Sequence, residues 1–375
     1  MVSDIINPKQ KFNGKMTVKT ILDLTKLLKT VALCVPLFTV TACDNKIDDF
    51  FEDLGDEDII CDDDETDVSF KQIAYWSVSS EETLDDIDFS MLTHIIYSQV
   101  GVESNGDLIL PEDDDLDEFE DMIQFAQNAG VNAMVSFGNS SDSAFNSIAG
   151  DDDALDNFAD NVEDLIKEYA LDGVDINWQF PEDDDEGDLF EDLISEIADV
   201  ADDRGVLFSY VVDDGQDDDA SDDGVQADVL EYGDFLNVLA LRTTDSDDLH
   251  SSLEDAQEAI QYWTARCVVK NRLVLAIPAF SQGDGELDFS EIVDDDIDNA
   301  CVDEASNVED SNGTEYDDIN YNGIPTVTAK TEYAQSFAGG VVLTSLEQDY
   351  LDSDFYSLLA TIDWQVLDAS NEICN

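Results

Sequence analysis

Eight short apolar or β-branched runs, spaced by amphipathic segments, constrain this chain more than any other feature. They are Ile73–Trp76, His94–Gln99, Ala133–Phe137, Gly173–Asn177, Leu207–Val212, Phe235–Ala240, Leu273–Ile277 and Gly340–Leu343. Short runs of strand-forming residues alternating with helically spaced segments are the signature of βα repeats, whose strands pair in parallel. Between the runs, Leu155, Phe158, Val162, Leu165, Ile166 and Tyr169, and again Phe190, Leu193, Ile194 and Ile197, mark helix faces able to cover a sheet. Eight such units favour a closed (β/α)8 TIM barrel over an open doubly wound sheet, and 375 residues leave room for the roughly 250 that such a barrel needs. The barrel is assigned to residues 69–370. One long interruption, 283–320, rich in Asp, Asn, Ser and Gly, reads as a small insertion after the seventh strand.

Charge narrows the partners. The chain carries 15 Lys and Arg against 92 Asp and Glu, a formal net charge of −77 at pH 7. Nucleic acid would meet repulsion in place of counterion release, so no nucleic-acid partner is expected. A surface this negative also repels itself, and salt is expected to relieve the repulsion. The few cations are unevenly placed: Lys9, Lys11, Lys15, Lys19, Lys26 and Lys29 all precede the apolar run Val31–Ala42. A basic stretch followed by a short apolar one is the pattern of a secretory signal, and the run is shorter than the roughly 20 apolar residues of a spanning helix. Its end, Val40, Thr41, Ala42 and Cys43, resembles a bacterial lipobox. That resemblance implies a lipoprotein signal over 1–43 and lipid on Cys43, followed by an acidic tether over 44–68. The expectation is an exported monomer held to a bacterial membrane through Cys43, facing the periplasm or the cell surface.

Cys34 leaves with the signal, so Cys61, Cys267, Cys301 and Cys374 remain for disulfides in an oxidising compartment. Spacing leaves their connectivity open. The pairing expected is Cys61 with Cys374, near the two ends of the folded region, and Cys267 with Cys301. The spacing matches no zinc pattern, and no metal or other cofactor is expected.

The fourth run continues as DGVDINWQFP, residues 172–181. Side chains alternate along a strand, so Asp175, Asn177 and Gln179 share one face while Ile176 and Trp178 share the other. In a barrel the polar set points inward at the C-terminal mouth, where barrel enzymes act. This segment resembles the glycoside hydrolase family 18 pattern DGxDxDxE followed by an aromatic residue and proline, with two substitutions. Other stretches extend the resemblance across nearly the whole domain. IAYW at 73–76 is similar to the family's first strand, and DIDFSMLTHIIYS at 86–98 to its second. VSFGN at 135–139 resembles the SxGG element of the third, with Asn139 where a glycine is expected. DFLNVLALR at 234–242, LAIPAF at 275–280 and GGVVLTSLEQD at 339–349 resemble the sixth, seventh and eighth. Their order and spacing identify the chain as a chitinase-like member of the family.

The resemblance implies hydrolysis of β-1,4 links in chitin or related N-acetylglucosamine polymers by a substrate-assisted route. In that route the motif's last glutamate protonates the leaving oxygen, and the aspartate before it orients the substrate's acetamido group. Here those positions hold Gln179 and Asn177, and Asp172 and Asp175 complete a degenerate motif. An amide donates a hydrogen bond but delivers no proton, and loss of proton transfer alone costs about 10²- to 10⁴-fold. On the sixth strand Leu241 stands where the family has a tyrosine that steadies the acetamido carbonyl, and Arg242 where it has an aspartate. On the eighth, Thr344 replaces the tryptophan that floors the central sugar.

The expectation is a catalytically inactive barrel whose glycan, a chitin oligosaccharide or peptidoglycan, rests on Tyr75, Trp76, Phe137, Phe180 and Phe280 near the mouth. One alternative is a glycosidase with a different catalytic acid, drawn from Glu182, Asp183, Asp213, Asp214, Asp245 and Glu347. In a chain with 92 acids, each of these is first of all a solvated charge. The other is a protein-interaction scaffold, signalled by an apolar patch on the helical ring.

Overall fold

The computed structural model describes residues 69–78, 84–138, 143–181, 184–215, 224–241, 250–283, 285–369 and 373–374. All belong to the unit Thr66–Asn375. The signal 1–43 with Cys43, the tether as far as 68 with Cys61, and Asn139, Glu182, Asp183, Arg242 and Asp245 lie outside the described residues.

All eight runs form strands. Seven of them fall among the first eight strands, β1 (Lys71–Trp76), β2 (His94–Val102), β4 (Asn132–Gly138), β5 (Gly173–Asn177), β6 (Leu207–Val212), β7 (Phe235–Val238) and β8 (Leu273–Pro278), with a short β3 (Leu108–Ile109) between β2 and β4. The insertion adds β9 (Gln282–Gly283), β10 (Glu304–Ala305), β11 (Val308–Glu309), β12 (Glu315–Tyr316) and β13 (Ile319–Asn320), and β14 (Gly340–Thr344) is the last barrel strand. β1 pairs in parallel with both β14 and β2, which closes eight parallel strands into a barrel; β3 is appended to β2 antiparallel. The described helices are α1 (Asp114–Ala129), α2 (Ser143–Ala149), α3 (Asp152–Tyr169), α4 (Asp184–Arg204), α5 (Leu253–Ala265), α6 (Phe289–Asp295), α7 (Ile324–Phe337) and α8 (Leu358–Val366).

Strand parity divides the apolar residues into two cores. Ile73, Tyr75, Ile96, Met134, Phe235, Val274, Ala276 and Val342 fill the barrel. Their neighbours in sequence, among them Ala74, Trp76, Ile95, Val135, Phe137, Val174 and Ile176, pack outward in a larger core with helix residues such as Phe158, Val162, Leu193 and Ile197. The helical spacing read for α3 and α4 is that contact surface: Phe158, Val162, Leu165 and Ile166, and Phe190, Leu193, Ile194 and Ile197, are buried.

The interruption after β8 is ordered. β10, β13 and β9 form a three-stranded antiparallel sheet, β11 and β12 a hairpin, and α6 packs beside them. Cys301, in this insertion, is bonded to Cys374. This corrects both expected pairings, Cys61 with Cys374 and Cys267 with Cys301; Cys267 is itself disulfide-bonded. Sequence distance misled here because the insertion folds back toward the C-terminal end of the chain.

The scarce cations have structural work. Lys71 Nζ donates to Asn271 O at 2.8 Å and Lys270 Nζ to Gln335 O at 2.8 Å. Arg272 donates to Leu230 O and Tyr232 O, and Arg266 to Val225 O. Each thereby satisfies a backbone carbonyl left open at a turn or helix end. Lys167 pairs with Glu163 and Asp164 within α3, and Arg204, at the end of α4, also meets Glu163.

Candidate functional site at the barrel mouth

β5 is built as its alternation requires. Val174 and Ile176 face the helices, and Trp178 continues that side, its ring stacked on Phe145 with centroids 5.4 Å apart. Asp175 faces the barrel interior and is completely buried. Its Oδ2 accepts from Tyr75 Oη at 3.0 Å and Ser136 Oγ at 2.7 Å, and its Oδ1 from Ser209 Oγ at 2.6 Å and Asn237 Nδ2 at 3.1 Å. Asn237 Nδ2 also donates to Tyr75 Oη at 2.9 Å. Residues on β1, β4, β6 and β7 thus converge on one carboxyl of β5. Burial pushes its pKa above the ordinary carboxylate value, while the four donors, Ser209 first, pull the other way. Burial and the neighbouring carboxylate likewise hold the Tyr75 phenol well above its ordinary range. Ser136, Ser209 and Asn237 were not singled out from the sequence. Their signal was there: each is a lone polar residue inside an otherwise apolar strand, an arrangement that demands a buried partner.

Two residues further along the same face the chemistry changes. Gln179 is exposed, and its Nε2 donates to Asn177 Oδ1 at 3.0 Å. The two substituted positions therefore form a neutral amide pair. A third amide, Gln99, lies against Gly138, whose place a Cβ would contest with Gln99 Oε1 and the backbone O of Asn177. Leu239 and Leu241, just past β7, are half-buried and pack on the interior cluster, so that side of the mouth is apolar. Thr344 is buried, and its hydroxyl turns to Ile277 O at 3.4 Å, away from any role as a flat platform.

The residues expected to hold a glycan separate into two sets. Tyr75 is inside the barrel but bound to Asp175, and Phe180 is half-buried after β5. Phe280 is half-buried at the end of β8, its ring 5.3 Å from that of His250. Trp76 and Phe137, by contrast, lie on the outward faces of β1 and β4, sealed in the core; the Phe137 ring meets Phe158 of α3 at 5.7 Å. They are packing residues, and their expected contact with a ligand is corrected. Asp172 caps a strand start, accepting from Ala133 N at 3.0 Å.

Among the described acids considered as replacements, Glu347 is half-buried. Its carboxylate accepts from Ser77 Oγ at 2.5 Å and Ser77 N at 3.2 Å, and burial raises its pKa against those bonds. Asp213 accepts from Gly215 N at 2.9 Å, and Asp214 is buried. Among the described residues, no group of three or more His, Cys, Asp or Glu is arranged to hold a metal ion.

The family model for glycosyl hydrolases family 18 matches residues 71–349. Among curated relatives, a probable chitinase of Drosophila melanogaster is 27% identical over 227 residues, covering 53% of this chain and 10% of that protein. A chitinase-like mite allergen of Dermatophagoides farinae is 27% identical over 209 residues, covering 53% of this chain and 44% of the allergen. The chain thus spans less than half the length of these relatives. Among solved structures, a family 18 chitinase of Flavobacterium johnsoniae superposes with a TM-score of 0.68 at 22% identity, covering 82% of this chain and 98% of the other. A family 18 chitinase of Cycas revoluta, carrying a Glu-to-Gln substitution and solved with (GlcNAc)4, superposes with a TM-score of 0.67 at 21% identity, covering 79% and 99%.

Proposed function

The chain belongs to the glycosyl hydrolases family 18, and from that premise we propose that it is a chitinase-like barrel that binds an N-acetylglucosamine-containing glycan at its mouth without hydrolysing it. The observation that carries this reading is the Gln179–Asn177 amide pair in the acid position of the motif. Amides hydrogen-bond sugars in either direction and hold no transferable proton at neutral pH. Gln99 enlarges the neutral polar surface, and Leu239 and Leu241 supply an apolar wall for the faces of sugar rings. The Cycas chitinase supports the ligand class, since a barrel with glutamate replaced by glutamine accompanies (GlcNAc)4 there.

Calorimetry with chitotetraose, followed by product analysis, tests the reading. Heat of binding with no shorter oligosaccharide is expected. Absence of binding removes the glycan ligand, and shorter products remove the inactivity. One observation favours a second reading, a glycosidase with a displaced acid: the enclosed, upward-shifted carboxyl of Glu347 at the mouth. That reading requires turnover that disappears in Glu347→Gln. The same proposal includes export and a lipid anchor on Cys43, supported by the basic stretch and apolar run before it. Labelled palmitate should enter the wild-type chain and not Cys43→Ser; equal or absent labelling of both refutes the anchor.

A further inference from the structure

Lys330 occupies a core position. It lies on the buried face of α7 with Ile324, Val327 and Ala334, and is completely buried. A cation at such a site is disfavoured unless something neutralises it. Its Nζ donates to Ser251 Oγ at 2.8 Å and to Asn322 Oδ1 at 2.6 Å. Both partners are committed in turn. Ser251 Oγ donates to Ala240 O, and Asn322 Nδ2 donates to His250 O at 2.8 Å and Ser251 O at 3.2 Å. Amine, hydroxyl and amide therefore fasten together the end of β7, the turn into α5 and the entry to α7.

Donor counting among the described residues accommodates the free amine. A free amine offers two N–H groups and an ammonium three; Lys330 makes two hydrogen bonds and no third among the described residues. No described carboxylate forms an ion pair with it. Asp255, from α5, and Asp303, from the segment leading to α7, act on it at longer range. Asp255 accepts from Ser252 N, and Asp303 from Gly323 N and Thr326 Oγ1. His250 is the other titratable residue at the cluster, joined through its backbone carbonyl. β8 and β14 bring no titratable side chain. Asp363 of α8 accepts from Gln72, while Asp298 of the turn 297–301 and Glu332 of α7 are exposed. Burial accordingly lowers the amine to about 7, opposed by Asp255 and Asp303.

We propose that Lys330 is a proton-operated latch behind the β7 side of the mouth: as the free amine it holds Ser251 and Asn322 together, and on taking up a proton it places an unneutralised charge and a third N–H in that buried cluster, which loosens the wall that carries Leu239 and Leu241. The idea is independent of what the mouth binds. An unfolded lysine keeps its proton up to the ordinary 10.5, so between about 7 and that value the unfolded chain holds a proton that the native chain lacks, and stability rises with pH.

Three measurements on the full chain test it. From pH 7 to pH 9 the Tm of the wild type should rise by about 4 °C more than that of Lys330→Met, and an equal change in both overturns the proposal. Lys71, whose amine burial also lowers, is common to both and cancels. In case the variant fails to fold, carbon-13 labelling of lysine Cε in the wild type gives a direct reading, since only Lys46, Lys71, Lys167, Lys270 and Lys330 follow residue 43. One signal should titrate near pH 7; midpoints above 9 for all of them overturn the proposal. Finally, hydrogen exchange corrected for intrinsic rate should reveal lost protection in segments 250–256 and 322–331 at pH 6 relative to pH 8. Equal protection at both values means that the proton does not operate a latch.

Discussion

Asp175 and Gln179 lie on the same face of one strand and its extension, yet they belong to regions under different rules. Around Asp175, four donors from four other strands converge on one carboxyl, and without it the hydroxyls of Tyr75, Ser136 and Ser209 would lose their acceptor in a buried interior. Around Gln179 the side chains are exposed or half-buried, and amides and leucines surround it. The interior network is tied to folding, so it tolerates little change. Among the described residues the mouth holds no such network, so its side chains can change while the barrel stands.

The comparison can be broken most forcefully by rebuilding the mouth. Asn177→Asp, Leu241→Tyr and Thr344→Trp together should leave chitin-oligosaccharide turnover undetectable; adding Gln179→Glu to them should raise it by about 10²- to 10⁴-fold, measured by product release. Gln179→Glu alone should do nothing. Next in size, Asp175→Ala should cost about 3 to 5 kcal/mol in urea unfolding, because several buried donors lose their acceptor at once. Tyr75→Phe removes one donor and should cost about 1 to 2 kcal/mol. The pH dependence sharpens the same point. The native Asp175 carboxyl keeps its proton above the ordinary 3.8 at which the unfolded chain releases it. The stability conferred by that proton is complete below 3.8 and is lost as pH rises through the folded value. The wild type should therefore lose stability relative to Asp175→Asn as pH rises from about 3.5 toward neutrality, followed by urea midpoints. Smallest of all, Gln179→Ala should shift stability by no more than about 0.5 kcal/mol. A larger loss there would merge the two regions into one.

Sequence made the barrel legible because its evidence is local. Eight strands and the helix faces between them announce themselves through periodicity, and the inward set Asp175, Asn177 and Gln179 follows from alternation on a strand whose phase its own polar residues fix. β1 offered no such phase. Tyr75 and Trp76 are adjacent aromatics, and only closure of the barrel decides that the first meets Asp175 and the second meets the helices. Ser136, Ser209 and Asn237 become a site only when three strands bring them to one carboxyl. Lys330 was invisible for a related reason: a lysine in a helix reads as a solvated charge until the face it occupies is known to be buried. The disulfide Cys301–Cys374 depends on how the insertion folds back, which residue spacing does not encode.

The cations that hold backbone carbonyls also decide how the domain meets proteases. An enzyme that cuts after Lys or Arg needs an exposed cation on a strand of chain it can pull into an extended form. Among the described residues only Lys167, Arg204 and Lys270 are exposed; the first two lie in α3 and at the end of α4, and the third is tied to Gln335 O. Lys71 and Lys330 are buried, and Arg266 and Arg272 are half-buried with their guanidinium groups engaged. Trypsin-like digestion should consequently stall at each of these described cations, whereas an enzyme directed at acidic residues would find cleavable bonds over much of the surface.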